Sequence, residues 1–296
     1  MHYRVMTFNN TPVIKVHGTS GAQGGPVVAK LEQLGYRPVG LAREATMGGS
    51  GQAVDLSDVD SVRKVYADAD AIFVQVPLGD GPTRARQFRT IAAALEGTLV
   101  RRIVITDSAA TGDPAAYAPD GPEPALAELV NVAESLGISH AVIRSKIFLE
   151  NLLLPAVQGP LGEKNSLEYP FAPDFKVSWV SHEDVAAVAA HLLTESRYEG
   201  EVHVGHLPGI TGRGLAISVG RALGREITYR EISPAEWGAR NLPLFGEALA
   251  QMLDQMYTQL ATQDSHEIPA EKDAGHRLGI YPRDPQAWAQ SHLTNN

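Results

Sequence analysis

A glycine-rich segment near the start of the chain, Gly18 to Gly25, has the composition of a phosphate-binding turn. It reads GTSGAQGG and stands between a β-branched run, VIKVH, and an apolar segment with helical spacing. Phosphates bind where backbone N–H groups are free at a helix N-terminus, and a Cβ atom at the closest positions would hold them away. We therefore expect Gly18 to allow the tight turn, Gly21 the close approach of phosphate, and Gly24 the packing of helix on strand.

The GxxGxxG spacing in a strand–turn–helix context predicts that the ligand is a dinucleotide, NADPH or NADH. The alternative is a plain strand-to-helix turn with additional glycines. The residues between the glycines are assigned to the same cofactor site: Thr19, Ser20, Ala22 and Gln23.

The end of the second predicted strand bears on which nicotinamide is bound. NAD enzymes usually place an acid there for the ribose 2′-hydroxyl, whereas this chain has Arg43 followed by Glu44. Arg43 favours NADPH because a guanidinium pairs with a 2′-phosphate. Glu44 leaves NADH as an alternative, because it is an acid next to that position. Asp55 and Leu56 are expected beside the adenine ring, although Asp55 is also suited to capping the next turn.

Further candidates stand where later strands end, because ligands of a parallel sheet bind at that edge. The cofactor-binding candidates are Val76, Pro77, Thr106 and Lys146. The catalytic candidates are Ser108 and, again, Lys146. Lys146 suits a phosphate, a substrate carboxylate or an enolate oxygen, and a surface lysine is the alternative. Tyr117 is a third catalytic candidate or a loop aromatic, and Asn151 is either a ligand contact or a helix cap.

The elements that must position these residues alternate along the chain. Strands are predicted at 13–17, 38–42, 53–56, 71–76, 102–106 and 140–144, and helices at 26–34, 58–67, 83–95 and 125–136. The third of these helices is expected to turn Arg84, Arg86 and Arg89 toward solvent. This alternation predicts an α/β fold with a doubly wound parallel Rossmann sheet.

After residue 145 the pattern loosens. Residues 152–175 are expected to be irregular, followed by a helix over 183–194 that Ser181 caps. A strand over 202–205, a helix over 214–223, a strand over 227–231 and one or two helices over 243–262 complete the chain. We therefore divide it into a dinucleotide-binding core, residues 1–150, and a smaller α/β substrate lobe, residues 151–296, with elements that return to the core.

Several segments together resemble the NmrA-like family of atypical short-chain dehydrogenases/reductases over roughly residues 12 to 225. They are GTSGAQGG after VIKVH, VVAKLEQLGYRPVGLAR, VDLSDVDSV, AIFVQVP, RRIVITDSA and AVIRSKIFLENLL. The resemblance implies an NADP-type Rossmann core and a small C-terminal substrate lobe. The family includes quinone reductases, redox-sensing regulators without evident catalysis, and reductases of aromatic natural products.

The chain departs from the ordinary short-chain dehydrogenase pattern, in which a Tyr stands four residues before a Lys. The Lys lowers the pKa of the Tyr so that the phenol can transfer a proton near neutral pH. Here the residue four positions after Tyr117 is Gly121, so the chain lacks the pair on which that route of carbonyl reduction depends.

Three functions fit these features. The first is an NAD(P)H-dependent oxidoreductase that transfers hydride to a quinone or aromatic carbonyl, which needs position more than a strong protein acid. The second is a non-catalytic NAD(P)H-binding redox sensor. The third is a tailoring enzyme, reductase or monooxygenase, of aromatic polyketides.

Composition excludes several classes of ligand, partner and location. The net charge of −9 argues against nucleic-acid binding, and the absence of cysteine excludes disulfides and thiolate chemistry. His203 and His206 have no evident third ligand, so no metal is expected. The N-terminus lacks an apolar signal region and no long apolar run occurs, so we expect a cytoplasmic protein with a small-molecule substrate and no membrane contact. The sequence leaves the oligomeric state open.

Overall fold

The computed structural model describes residues 11–44, 51–77, 79–108 and 114–294, with only the backbone described for Ser108, Pro114 and Ala115. Its strands are β1 (Ile14–His17), β2 (Val39–Ala42), β3 (Gln52–Ala53), β4 (Ala71–Gln75), β5 (Arg102–Ser108), β6 (Ser139–Ser145), β7 (Ile147–Phe148), β8 (Ser166–Tyr169), β9 (Lys176–Val177), β10 (Trp179–Val180), β11 (Gly200–Val204), β12 (Ile210–Thr211), β13 (Thr228–Glu231) and β14 (Ser265–His266). Its α-helices are α1 (Gly24–Gln33), α2 (Val59–Tyr66), α3 (Gly81–Leu95), α4 (Pro122–Ser135), α5 (Pro155–Lys164), α6 (His182–Thr194), α7 (Gly212–Leu223), α8 (Pro234–Leu260), α9 (Ala274–Leu278) and α10 (Pro285–Leu293).

Seven strands form one sheet in the order β11-β6-β5-β4-β1-β2-β3. β1 pairs in parallel with both β2 and β4, β2 pairs in parallel with β3, and β4 with β5. The strand order therefore reverses between β1 and β4, as in a doubly wound Rossmann sheet, and the predicted fold class is confirmed. Ligands of such sheets bind beside this switch point, at the carboxyl ends of β1 and β4.

The strands and helices predicted before residue 145 are all present. The largest differences are three residues, at α4, which begins at Pro122 rather than Ala125, and at β3, which ends at Ala53 rather than Leu56. The side chain of Asp55 accepts hydrogen bonds from the backbone N–H and the hydroxyl of Ser57, at 2.8 and 2.7 Å, and this local turn ends the strand.

The central strand β1 carries apolar residues on one face and polar residues on the other. The buried ammonium of Lys15 donates to Gln52 Oε1 at 3.1 Å and lies 2.9 Å from Asp68 Oδ1. Next along that face, His17 Nε2 lies 2.6 Å from the hydroxyl of Tyr66. Burial lowers the pKa of His17 to about 3, so this buried imidazole is neutral at physiological pH.

The described residues divide into two compact units. Among them, unit 1 comprises residues 11–44, 51–77, 79–108, 114–144 and 185–202, and unit 2 comprises residues 145–184 and 203–294. The core of unit 1 is formed by apolar side chains of its strands together with those of α2, α3 and α4. Within α3 the expectation for Arg84 was wrong, because its guanidinium turns inward to the buried carboxylate of Asp107.

Unit 2 is built around an aromatic core. Its strands form three small sheets, β10-β7, β12-β9-β14 and β13-β8. Tyr169 is at the centre, with ring centroids 4.5 Å from Trp237, 5.1 Å from Trp179 and 5.8 Å from Tyr257. This cluster of large rings gives unit 2 an apolar core of its own.

The prediction that residues 152–175 are irregular was wrong, because the segment contains α5 and β8. Pro155 is the first residue of α5, where a helix needs no N–H donor. Pro160 leaves the carbonyl of Ala156 without its usual helical donor, and Arg240 Nη1 donates to that oxygen at 3.4 Å. The glycines and prolines that suggested a loop are therefore accommodated within a helix.

The helix predicted to begin at Pro243 begins earlier, at Pro234. The hydroxyl of Ser233 accepts a hydrogen bond from the N–H of Glu236 and caps the helix. Gly246 interrupts it with φ 74° and ψ 171°, so α8 is two helical segments joined at a bend. No helix of the described residues is both long enough and apolar enough to cross a membrane.

Candidate functional site

The glycine-rich turn begins where β1 ends, at the switch point of the sheet. Gly18 has φ 68°, in the left-handed region that favours glycine. Its N–H donates to Leu41 O at 2.9 Å, and its carbonyl accepts from the N–H of Gly21 at 2.8 Å. The first glycine therefore closes the tight turn between β1 and α1.

The remaining two glycines of the motif differ in what surrounds them. A Cβ atom on Gly24 would overlap the backbone carbonyls of the turn, at 2.5 Å from both Gly18 C and His17 O. Gly21 is exposed, and a Cβ there would come to 3.1 Å of Gly18 O. Gly24 thus allows the start of α1 to pack directly on the end of β1, whereas Gly21 leaves the surface of the turn open.

The first turn of α1 carries no side chain that would repel an anion. It contains no acidic residue, and the side chain of its N-cap residue, Gln23, makes no capping hydrogen bond. Gln23 Oε1 instead accepts a hydrogen bond from the buried hydroxyl of Thr106 at 2.9 Å, which ties the turn to the end of β5. The N–H of Gly25 donates to Gly21 O at 3.2 Å and Pro26 has no N–H, so this end of α1 favours a phosphate mainly through the positive end of the helix dipole.

Two residues that the sequence analysis did not select also shape the turn. A Cβ atom on Gly18 would overlap the side-chain oxygen of Gln75, the last residue of β4. A Cβ atom on Gly40 would lie 2.9 Å from Thr19 Oγ1, so the side chain of Thr19 packs against bare backbone of β2. Gln75 had a visible signal, because it is a polar residue inside the apolar run AIFVQV.

The residues assigned to the ribose and adenine lie at the ends of β2 and β3. Arg43 is exposed just after β2. Asp55 is engaged with Ser57, and those hydrogen bonds lower the pKa of its carboxyl. Leu56 is half-buried and packs against the core of unit 1.

The other candidates at strand ends have different surroundings. Val76 is buried in the core, and Pro77 after it is exposed. Of Ser108 the structure gives only the backbone, as the last residue of β5. Tyr117 lies in a short 3₁₀ helix with 62% of its surface exposed. Among the residues assigned between the glycines, Ser20 and Ala22 are also exposed.

A network of charged side chains that the sequence did not reveal joins the ends of β5 and β6. Asp107 is 3% exposed, and its carboxylate accepts hydrogen bonds from Arg84 and, at 2.9 Å, from Arg144 Nη1. Arg144 also donates two hydrogen bonds, at 2.9 and 2.8 Å, to the carboxylate of Glu123. The network holds α3, α4 and two strand ends together beside Thr106.

Lys146 belongs to unit 2, where it is half-buried between β6 and β7. Burial lowers the pKa of His266 to about 3, and the positive charge of Lys146 contributes to that shift. The Nε2 atom of His266 is buried and has no hydrogen-bond partner among the described residues. Asn151 donates to the hydroxyl of Tyr169 at 3.1 Å, so its side chain is part of the aromatic core.

The two histidines that were considered as metal ligands, His203 and His206, interact with different residues. His206 Nε2 lies 2.8 Å from the carbonyl oxygen of Arg283, and the backbone of His203 bridges to Asp273. Within the part of the chain that the structure describes, no group of three His, Asp or Glu side chains could hold a metal ion.

Comparisons with known proteins find a relative in sequence and several similar folds. It is 27% identical over 258 residues to an NAD(P)H azoreductase of Xenophilus azovorans, an alignment that covers 83% of this chain and 86% of the azoreductase. Its fold is similar to that of the triphenylmethane reductase of Citrobacter sp. at 16% identity, with a TM-score of 0.77 and coverage of 96% and 100% of the two chains. It is also similar to an NADPH-dependent quinone oxidoreductase of Escherichia coli complexed with NADPH, at 20% identity and a TM-score of 0.70, with coverage of 95% and 99%.

The model of the NmrA-like family matches residues 10–277, which is most of the chain and includes the glycine-rich turn. This match confirms the resemblance seen in the sequence motifs, and the chain belongs to the NmrA-like family.

Proposed function

We propose that this protein is an NAD(P)H-dependent oxidoreductase that transfers hydride to a quinone or an aromatic carbonyl. The observation that carries the proposal is the turn between β1 and α1, where Gly24 leaves no room for a side chain and Gly21 leaves the surface open. The similarity to an NAD(P)H azoreductase and to an NADPH-dependent quinone oxidoreductase supports the same activity.

The residues of unit 1 fit a dinucleotide. The exposed backbone around Gly21 and the uncapped N-terminus of α1 would hold the pyrophosphate, with Thr19 and Ser20 beside it. Arg43 would pair with a 2′-phosphate, which favours NADPH, and NADH remains an alternative. Asp55, Leu56, Val76 and Pro77 would border the rest of the cofactor by their positions at the ends of β3 and β4.

A bound nicotinamide would supply the hydride, so the protein would have mainly to bind and orient the acceptor. Thr106, whose hydroxyl is held by Gln23, would fix the floor of the cofactor site. Lys146 would stabilise negative charge on a reduced oxygen, and Ser108 and Tyr117 would donate hydrogen bonds. Unit 2 would carry the acceptor-binding residues, in keeping with a substrate lobe.

A redox sensor without catalysis is the second candidate. It is favoured by one sequence feature, the Gly at position 121 where a short-chain dehydrogenase has its Lys after Tyr117. A sensor and a reductase would bind the cofactor alike and differ only in turnover.

The test is a titration of the purified protein with NADPH and with NADH, followed by absorbance of the reduced nicotinamide with and without a simple quinone. We expect tighter binding of NADPH and quinone-dependent oxidation. Binding without turnover on quinones or azo compounds would refute the reductase and favour the redox sensor. If neither nucleotide binds, both functions are refuted.

A pair of glycine variants makes the test specific to the turn. Gly21→Ala should weaken NADPH binding about tenfold or more, because the added Cβ would occupy the surface that the phosphates approach. Its stability should change little, because the Cβ would be exposed and 3.1 Å from its nearest neighbour, Gly18 O. Gly159→Ala, inside α5 with nothing within 4 Å of its Cβ, is the matched control and should bind NADPH like the natural protein.

A further inference from the structure

The three central strands of the sheet end in a row of residues at the switch point. Gln75, the last residue of β4, is paired in register with Thr106 of β5. On the other side of β4, the register with β1 pairs Val16 with Phe73. Gln75 is therefore level with Gly18, since each lies two residues further along the chain. Side chains of residues paired in this way point to the same face of a sheet, so Gln75 and Thr106 share one face.

The side chain of Gln75 lies over the bare backbone of Gly18. A Cβ atom on Gly18 would overlap Oε1 of Gln75 and come to 3.4 Å of its Cδ, and these are the two atoms that lie within 4 Å of that position. Gly18 thus leaves the space that this amide occupies, besides allowing the turn. The amide is half-buried and forms no hydrogen bond with any of the described residues.

An unpaired amide at the end of β4 is unfavourable in a way that an apolar residue would not be. Val74 and Val76, on either side of Gln75, are buried in the apolar core. Taking an amide out of water without a hydrogen-bond partner costs free energy, so a glutamine here calls for a partner from outside the chain. Ligands of a doubly wound sheet bind at this edge, which makes a ligand the partner to expect.

Thr106, the neighbour of Gln75 in the row, holds a second amide with an unused donor. Its hydroxyl donates to Gln23 Oε1, which fixes the orientation of that amide. Gln23 Nε2 is left without a partner in the part of the chain that the structure describes. Each amide NH₂ group can donate two hydrogen bonds and carries no net charge. The two glutamines therefore offer neutral donors that suit the oxygen atoms of a phosphate or a ribose.

The place of Gln75 in the sheet indicates which part of a dinucleotide it would meet. The ribose and adenine are assigned to the ends of β2 and β3, on one side of Gly18, and the pyrophosphate to the turn itself. The second nucleotide then continues past the switch point, over the ends of β4 and β5. Gln75 lies on that side, so the nicotinamide half is the part within its reach.

We propose that the side-chain amide of Gln75 donates a hydrogen bond to the nicotinamide nucleotide of the bound cofactor, at an oxygen of its ribose or phosphate. The inference rests on the cofactor part of the proposed function and adds a binding residue to it. Gln75 contributes to affinity for the whole dinucleotide and not to affinity for its adenine half. It also restrains the ribose that carries the nicotinamide, on whose orientation hydride transfer depends.

The experiment is isothermal titration calorimetry of the full chain with NADPH and with adenosine 2′,5′-bisphosphate, which has the adenine half of NADPH and no nicotinamide. Gln75→Met keeps an unbranched side chain of similar length and removes the donor. It should weaken NADPH binding about tenfold, the effect of losing one hydrogen bond to a ligand, and leave binding of the bisphosphate unchanged. Gln75→Glu keeps the shape, removes the N–H donors and adds a negative charge, so it should weaken NADPH binding further.

Gln33→Met is the matched control, because it makes the same change at an exposed glutamine at the far end of α1. It should bind both ligands like the natural protein. Equal NADPH binding by Gln75→Met and Gln33→Met would overturn the proposal. A loss of both ligands to the same extent in Gln75→Met would also overturn it, because the effect would then come from a disturbed turn at Gly18.

Two further outcomes are decided in advance. If Gln75→Met does not fold, the isosteric Gln75→Glu replaces it, and NADPH binding like that of the natural protein would overturn the proposal. If the natural protein binds neither NADPH nor NADH, the proposed function is refuted together with this inference. NADPH binding that is unaffected by the change at Gln75 refutes this inference alone and leaves the reductase intact.

Discussion

Replacement of Gly24 by alanine tests whether the start of α1 is packed on β1 as tightly as the structure indicates. The added Cβ would fall 2.5 Å from Gly18 C and from His17 O, about 1 Å short of ordinary contact. Both neighbours are backbone atoms of a closed turn, so neither can move aside by changing rotamer. The first turn of the helix must therefore shift away from the strand.

The magnitude follows from two opposing effects. Overpacking of a rigid site costs about 3 kcal/mol at the upper end of its range, and alanine regains up to about 1 kcal/mol of helix propensity. The net loss of about 2 kcal/mol corresponds to a fall in Tm of about 4–8 °C for a domain of this size. The shifted N–H groups should also lose most of their affinity for the dinucleotide phosphates.

Thermal unfolding with and without NADPH measures both effects in one assay. Ligand at about 100 times its Kd stabilises a protein by about 2.7 kcal/mol, so the natural protein should show a clear rise in Tm. Gly24→Ala should start from a lower Tm and show little rise, and Gly159→Ala should match the natural protein in its response. A Gly24→Ala variant with the natural Tm and the natural response would refute the packing described for this turn.

Three other predictions concern buried polar groups. Asp107→Asn should lower the free energy of unfolding by about 2 kcal/mol in urea titration, because Arg84 loses a buried carboxylate; an unchanged urea midpoint would contradict the network. Arginine partners lower the pKa of Glu168 to about 2, so its contribution to stability is present above about pH 4.5 and is lost as the pH falls toward 2. The urea midpoint of the natural protein should therefore fall between pH 5 and 3, and that of Glu168→Gln should fall less. Equal pH dependence in the two proteins would contradict this role of Glu168. Tyr66→Phe should cost about 1 kcal/mol, because the buried ring of His17 loses its hydrogen-bond partner, and calorimetry that shows no loss would argue against that bond.

The first half of the fold was predictable because each of its elements shows a local signal. Short β-branched runs such as RIVIT and AIFVQV end in glycine, proline or polar residues, and the helices between them have regular apolar spacing. The motif glycines were predictable for the same reason, since a strand, a turn and a helix follow one another directly. Boundaries differed from the prediction by up to three residues, as at the start of α4 and at the end of β3, where Asp55 forms a local turn.

The second half was harder to predict because its elements depend on tertiary contacts. Nothing local indicates that Arg240 satisfies the carbonyl left by Pro160, so a helix with two prolines and two glycines looked like a loop. The charged network had the same difficulty, since Arg84, Asp107 and Arg144 are far apart in sequence. An arginine on an amphipathic helix looks solvent-exposed until its acidic partner is known.

Lys15 in the central strand has a consequence for how the sheet assembles. Its ammonium is held between Gln52 and Asp68 on one face of β1, while Ile14 and Val16 are buried on the other. Sliding β1 by one residue against its neighbours would exchange the two faces and push a desolvated ammonium among aliphatic side chains. A valine at this position would tolerate that slip, whereas the lysine makes the shifted register unfavourable and so helps to specify the correct alignment of β1.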